Sequence, residues 1–321
     1  MTKYKYLCLF AGYSAKGKIE EYVIKYISEL SKFADVHYMA DCDVEEQELL
    51  KLKQIIKSAK AQRHKRYDFG SWGLMYKSFS REELASYDFL ILANDSCYAP
   101  LFSFDEMFNE MEKRDCDFWG CTENNLIKDR HIQSYFSVYS KEVFTSPEFI
   151  NFFNNINEEV DQKTVVEKYE VGISKLLVSL GYKYSSYIDN KFLISSNVKD
   201  LLEARTPFLK VKLFTCPGYS INYQKYKDFE LLDLVKSKSN YNTSLITKHL
   251  DYLSKEYFNK LDEENKNILF YEEKKFLFGA LKFVNYSNKR KYYMFGKKFL
   301  SLKIRGKNNE YTKYQKTRFK A

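Results

Sequence analysis

The chain has 321 residues, 45% of them hydrophobic and 30% charged, with only four prolines and eleven glycines. These proportions exclude a disordered or low-complexity protein and allow a large core, with roughly 70–75% of the unfolded surface buried at this size. The net charge of +9 is uneven: residues 274–321 carry 15 Lys and Arg against the single acid Glu310, and the remaining 273 residues sum to −5.

In chain order, KYLCLFAGYS (5–14) reads as a buried strand ending at Gly12-Tyr13-Ser14. IEEYVIKYISELSKFA (19–34) follows with apolar residues at 19, 23, 24, 27 and 30, a helical spacing. DVHYMADC (35–42) reads as a second strand and VEEQELLKLKQIIKSAKAQ (44–62) as a second amphipathic helix. After Gly70–Gly73 and a short helix comes a third strand, YDFLILANDS (87–96). This alternation predicts parallel strands with helices on both faces.

FDEMFNEMEKR (104–114) reads as a helix, CDFWGCT (116–122) as a short strand and HIQSYFSVYSKEVF (131–144) as an alternating strand. SPEFINFFNNI (146–156) opens a helix with Pro147 in its first turn, where a missing N–H costs nothing. VVEKYEVGISKLLVSLGY (165–182) reads as a helix stopping at Gly181, and PFLKVKLF (207–214) as a strand. Beyond about 225 the pattern is helical, including SLITKHLDYLSKEYF (244–258). The expected division is residues 1–224 as one α/β domain and 225–321 as a mainly helical region with a basic, aromatic-rich tail.

Six cysteines at 8, 42, 97, 116, 121 and 216 show no C-x-x-C spacing and do not cluster with the four histidines. That pattern predicts a reducing cytoplasm without disulfides. The start of the chain is too briefly apolar for a signal peptide, and no apolar run approaches the ~20 residues of a membrane span.

The abrupt end of the third strand, Asn94-Asp95-Ser96, has two readings. Small polar residues close turns, and open α/β sheets bind ligands beyond the carboxyl ends of their strands.

Four stretches in this order, DFGSWG (68–73), YDFLILANDSCYAP (87–100), DFWGCTEN with HIQSYFSVYSKEVF (117–144) and KYEVGIS (168–174), resemble the rhamnan synthesis F family of bacterial glycosyltransferases. TPFLKVKLF (206–214) fits the same pattern, and the resemblance covers roughly residues 1–215. It implies a glycosyltransferase A-like α/β sandwich with a mixed central sheet. It also implies inverting transfer of a sugar, typically L-rhamnose from dTDP-rhamnose, onto a cell-surface polysaccharide or a polyprenyl-diphosphate-linked acceptor.

The resemblance gives the residues expected roles. Enzymes of this fold end the mid-domain strand in Asp-x-Asp, which holds a divalent metal; here Asp95 is the one carboxylate. The expected cofactor is Mg or Mn at Asp95, with Asn94 and Ser96 as neutral donor contacts. Asp68 and Gly70 are expected at the donor, the glycine to let backbone approach a ligand. Trp72 is read as either a core anchor or part of that contact, and Arg63-His64-Lys65-Arg66 as a solvated helix end. Glu170, placed at a helix start, is the expected catalytic base, against a purely helix-stabilising role and with Glu167 as a local competitor. Trp119, Thr122, His131 and Gln133 are expected on the acceptor side, with core packing and structural hydrogen bonding as alternatives for Trp119 and His131. Lys210 is read either as a counter-charge to the leaving diphosphate or as an edge-strand lysine.

The basic segment 274–321 predicts docking to an anionic membrane surface, placing the protein at the inner face of the cell membrane. Two other classes compete. One is a nucleic-acid-binding protein, disfavoured because the motif-rich body is acidic, so no nucleic acid partner is expected. The other is an inactive relative acting as a scaffold in polysaccharide assembly.

Overall fold

The structure is a computed structural model and describes residues 4–124, 130–188, 198–215 and 228–253, with strand backbone at 270–276, 281–286, 289–294 and 297–303. Contacts divide the chain into two units, Met1–His249 and Leu250–Ala321, rather than at the expected boundary of 224 and 225.

The first unit opens with β1 (Tyr6–Gly12), buried along all seven residues. A continuous apolar run is what a parallel strand covered on both faces requires. Then come α1 (Glu21–Leu30), β2 (Ala34–Ala40), α2 (Glu46–Lys53), β3 (Ser58–Ala61), α3 (Tyr67–Tyr76), α4 (Arg81–Ala85) and β4 (Phe89–Asn94). Ser80 and Glu83 close a reciprocal capping box at the start of α4.

Past a turn at Asp95 and Ser96 the chain forms β5 (Cys97–Tyr98), α5 (Phe104–Met111), β6 (Phe118–Gly120), the hairpin β7 (Glu123–Asn124) and β8 (His131–Ile132), and β9 (Phe136–Ser140). Helices α6 (Lys141–Phe144), α7 (Pro147–Asn154) and α8 (Gln162–Val165) lead through a π-helical turn, Val166–Glu170, into α9 (Val171–Ser179). The unit closes with β10 (Tyr184–Ser186), α10 (Val198–Glu203), β11 (Leu209–Lys210), α11 (Lys212–Thr215), α12 (Asp228–Lys238) and helical residues 244–249.

Seven strands form one sheet in the order β10-β6-β9-β4-β1-β2-β3. Strands β4, β1, β2 and β3 run parallel, β9 is antiparallel to both β4 and β6, and β10 is parallel to β6. This is the mixed central sheet expected of the α/β domain. Because β1, β2, β3 and β4 share a direction, the residues following all four emerge at one edge.

Both faces of the sheet are packed with rings. On one side Trp72, fully buried, donates Nε1–H to the Ala93 carbonyl at 3.0 Å and meets Phe69 edge-on. Trp72 is therefore a core anchor, and truncating it to alanine is expected to cost about 3–5 kcal/mol. On the other side Phe108, Trp119, Phe136 and Phe208 form a contiguous cluster.

Four expectations about elements are corrected. The helix expected over 44–62 ends at Lys53, because after Ile56 the sequence offers only Lys, Ser, Ala and Gln and no further apolar stripe; Ser58–Ala61 instead adds an edge strand beside β2. The Gly70–Gly73 segment does not precede a helix but lies inside α3. PFLKVKLF gives only the two-residue β11, paired antiparallel with β5, before α11. The C-terminal region is helical at 228–238 and 244–253, but 270–303 is not: β12 (Phe270–Phe276), β13 (Leu281–Tyr286), β14 (Lys289–Met294) and β15 (Lys297–Lys303) form an antiparallel meander. Alternating Lys with Phe, Leu and Tyr has the two-residue period of a strand. The rest of the expected docking segment, including 304–321, lies outside the described residues, as does Cys216.

Among the described residues Cys8, Cys42, Cys97, Cys116 and Cys121 are free thiols, and no helix is long and apolar enough to cross a membrane.

Candidate active site

A cavity of about 810 Å³ opens where the parallel strands end. Each of the four strands contributes: Gly12 at the end of β1 and Tyr13 after it, Asp41 after β2, Arg63 and Lys65 after β3, and Asn94, Asp95 and Ser96 at the end of β4. The opposite wall is Gln133, Ser134 and Tyr135 before β9, with Glu170 from the π-helical turn; Lys210 of β11 completes it.

Asn94-Asp95-Ser96 combines a turn with a stretch of cavity wall. Asn94 is buried and closes the turn: its Oδ1 accepts the Ser96 N–H at 3.2 Å and the Ser96 hydroxyl, while its Nδ2 donates to Asp68 Oδ2 at 2.9 Å. Asp95 lines the cavity, with Oδ2 accepting the Tyr13 N–H at 2.7 Å. Lys210 Nζ donates to the Ser96 hydroxyl at 2.7 Å and sits 4.7 Å from the centre of the Tyr135 ring. A directed chain therefore runs from the Lys210 ammonium through Ser96 and Asn94 to the Asp68 carboxylate.

Asp95 and Asp68 are both hard to ionise. Burial pushes Asp95 up to about 7, helped by the nearby Asp68 charge and opposed by the Tyr13 N–H and by Lys210. Burial also raises Asp68, reinforced by Glu170 and opposed by Asn94, the Phe69 N–H and Lys210.

Glu170 behaves oppositely. Burial acts to raise it, but hydrogen bonds from His131 and Ser134 outweigh that effect and hold it below the usual carboxylate range. His131 Nε2 lies 3.2 Å from Oε1, and Oε2 accepts the Ser134 N–H at 3.1 Å as well as the Ser134 hydroxyl. Since Glu170 is ionised, Nε2 of His131 is the donor. The helix carrying Glu170 begins at Gln162, capped by Asp161, so Glu170 does not stand at a helix start and the helix-stabilising reading falls away. Glu167 faces solvent and pairs with Lys163, which removes the competitor.

The remaining expected residues divide. Gln133 lines the cavity, and Thr122 stands behind it, donating to Gln133 Oε1 and bonding the Tyr135 hydroxyl, both at 2.8 Å. His131, fully buried, acts through Glu170. Trp119 is buried against Phe108 and Phe136 and does not line the cavity, so it offers no face to a sugar. Gly70 is also absent from the cavity wall: inside α3, a Cβ on it would lie 2.3 Å from Arg66 Cβ and 2.8 Å from the His64 ring. Its small size serves the packing of the preceding loop.

That loop carries the residues that sequence reasoning missed. Asp41 accepts the N–H groups of His64 at 2.7 Å, Lys65 at 2.8 Å and Tyr67 at 3.0 Å. Lys65 and Tyr67 are held at φ 58° and 55°, a left-handed conformation rare for such residues. His64 is neutral: its Nδ1 accepts the Arg66 N–H at 3.1 Å, so Nε2–H donates to Ser71 at 3.0 Å, and burial lowers its pKa. Arg63 and Lys65 reach the cavity rather than capping a solvated helix end. Asp41 had a signal in DVHYMADC: it ends a strand as Asn94-Asp95-Ser96 does.

Residues 36–277 match the family described as rhamnan synthesis protein F. The chain belongs to the rhamnan synthesis protein F family. A curated relative, protein y4gN of Sinorhizobium fredii, is 22% identical over 177 residues, 54% of this chain and 46% of that protein. The chain thus spans about half the length of the curated relative it matches. Among solved structures, core-mannan synthase A of Aspergillus fumigatus in its Mn/GDP form aligns with 11% identity over 52% of this chain and 69% of its own, at a TM-score of 0.34. Mouse xyloside xylosyltransferase 1 aligns with 10% identity over 64% and 97%, at 0.35. A Leptospira borgpetersenii cytidylyltransferase aligns with 12% identity over 75% and 96%, at 0.36.

The fit of the expected divalent metal is tested by the donor set of this family member. Asn94 Oδ1 is turned inward to Ser96, and the Ser96 hydroxyl accepts from an ammonium, so neither is presented as a ligand. Both Asp68 oxygens accept N–H groups. Among the described residues no three His, Cys, Asp or Glu side chains gather around a common point suited to a metal. Asp95 is left without protein partners for the task, and the side chains present do not fit a resident cation.

Proposed function

We propose that this chain is a glycosyltransferase that binds a nucleotide-sugar donor in the strand-end cavity and transfers the sugar with inversion. The favoured donor is dTDP-rhamnose, and the acceptor a glycan or polyprenyl-diphosphate-linked chain at the inner face of the membrane. The observation that carries this reading is the cavity itself. It sits at the carboxyl ends of four parallel strands, where open α/β sheets take nucleotides, and it gathers Asp68, Asp95 and Glu170 opposite Lys210. Membership of the rhamnan synthesis family supports rhamnose as the sugar.

In an inverting transfer the acceptor oxygen attacks the anomeric carbon from the face opposite the diphosphate. The new C–O bond forms as the bond to the phosphate oxygen breaks, the bonding pair leaves with the diphosphate, and a base takes the hydroxyl proton. The base must be ionised beforehand. Glu170 meets that condition at neutral pH, because three hydrogen bonds stabilise its charge, whereas Asp68 and Asp95 beside it are raised. His131 and Ser134 are its positioning residues. Asp68 and Asp95, both raised, bond ribose or sugar hydroxyls in either state, donating when protonated and accepting when ionised. Tyr13 and Tyr67, 61% and 40% exposed on the cavity wall, offer ring faces to a base or sugar. The basic segment 274–321 supports docking to an anionic leaflet, at about 1 kcal/mol for each Lys or Arg near the surface.

The test is release of nucleoside diphosphate from dTDP-, UDP- and GDP-linked sugars by the purified chain. Selective turnover of dTDP-rhamnose is expected. Turnover of none of them, by a chain shown to be folded, contradicts the reading.

A further inference from the structure

We propose that the donor's diphosphate is held by the chain's own cations, Lys210 and the loop residues Arg63 and Lys65, without a divalent metal. The inference rests on the reading of the cavity as a nucleotide-sugar site, and it concerns what neutralises the anion there.

The first support is where Lys210 stands. Strand β11 pairs antiparallel with β5, placing Lys210 opposite Cys97, and the Val211 N–H donates to the Ser96 carbonyl at 3.0 Å. The backbone thus fixes Lys210 at the end of β4, where a cation would serve a diphosphate. One ammonium N–H is spent on Ser96 at 2.7 Å, and the Tyr135 ring 4.7 Å away favours the charge from one side. An ammonium carries three donors, so capacity remains for phosphate oxygens.

The second support is the loop after β3. Asp41 spends its carboxylate on three backbone N–H groups there and holds Lys65 and Tyr67 in a left-handed conformation. Strain of this kind, of order 1–3 kcal/mol per residue, persists where the surroundings enforce it and concentrates at ligand-binding sites. The result is that Arg63 and Lys65 line the cavity. Arg63 also pairs with Asp43 at 3.3 Å, but both groups are exposed, and such a pair costs little to exchange for a phosphate.

The test is calorimetric titration of the full chain with dTDP and, separately, with inorganic pyrophosphate, each in EDTA and each with Mg²⁺ or Mn²⁺. The expected result is dTDP binding in EDTA within about threefold of its affinity with metal. Lys210→Ala should weaken it about ten- to a hundredfold, the range for hydrogen bonds to a charged group. Because Lys210→Ala also removes a contact to Ser96, Lys65→Asn provides an independent variant: asparagine tolerates the left-handed backbone and removes the charge. A loss of tenfold or more in a folded Lys65→Asn protein supports the proposal. Pyrophosphate binding in EDTA that depends on these lysines, with no nucleotide binding, supports the cationic site while removing the nucleotide reading. Binding of dTDP only in the presence of metal overturns the proposal and leaves the nucleotide reading intact. Absence of binding by either anion under all conditions overturns both.

Discussion

The two walls of the cavity carry the same functional group in opposite electrostatic states. Asp68 and Asp95, at the strand-end wall, are raised by burial and by neighbouring carboxylates. Glu170, in the facing wall, is subject to the same burial yet is lowered, because His131 and Ser134 supply three hydrogen bonds to it. The comparison teaches that donors aimed at a carboxylate, more than its depth, decide whether it is charged. It also separates the roles, since an ionised group can take up a proton while a protonated carboxyl can donate one to a hydroxyl oxygen.

The largest expected effect breaks the comparison at Glu170. Glu170→Gln keeps the shape and removes the base, so turnover should fall about 10²- to 10⁴-fold, while dTDP affinity, read by calorimetry, stays within about threefold. Loss of affinity with unchanged turnover would assign Glu170 to binding instead.

The next tests the strand-end wall. The folded pKa of Asp95, about 7, stands above its ordinary 3.8, so the folded state is favoured below the ordinary value and that advantage is lost as pH rises through 7. Asp95→Asn escapes this loss. Its gain in stability over the parent should be near zero at pH 4 and reach a plateau above pH 7. The plateau should be about 2 kcal/mol, roughly half of what the shift alone gives, because Asp95 is only part-buried. Thermal melts across that range would show it; a gain that is constant with pH would refute it.

The smallest concerns what sustains the contrast. His131→Gln weakens the stabilisation of the Glu170 charge, so the acidic limb of the kcat–pH profile should move to higher pH. The loss of turnover should grow as pH falls, approaching about tenfold only at pH well below the base's pKa for a one-unit shift, with little change at pH 8. A uniform loss at all pH values would mean that His131 serves structure alone.

Much of this was legible in the sequence where one physical rule dominates. The buried parallel strands β1 and β4 announce themselves as apolar runs, and Ser146-Pro147 marks the start of α7. The strand-end rule found Asn94-Asp95-Ser96, and the family resemblance singled out Glu170. What was missed depends on long-range placement. Ser134 matters only because Glu170 comes from 36 residues away, and Asp41 only because it holds a loop 23 to 26 residues further on. Gly70 looked like a ligand-approach glycine, but the crowding it relieves comes from the His64 ring and Arg66, which no local pattern reveals. The strands β12 to β15 fall in a region whose overall pattern beyond 225 is helical, and only the two-residue alternation of lysines with aromatic and aliphatic residues marks them as strands.

The most direct test of the central claim is proton NMR of dTDP-rhamnose during slow turnover by the purified chain. The account predicts that dTDP is released and that the sugar first appears as the α anomer, inverted from the β-linked donor. A donor left intact, or a β product appearing first, would contradict an inverting transferase with Glu170 as its base.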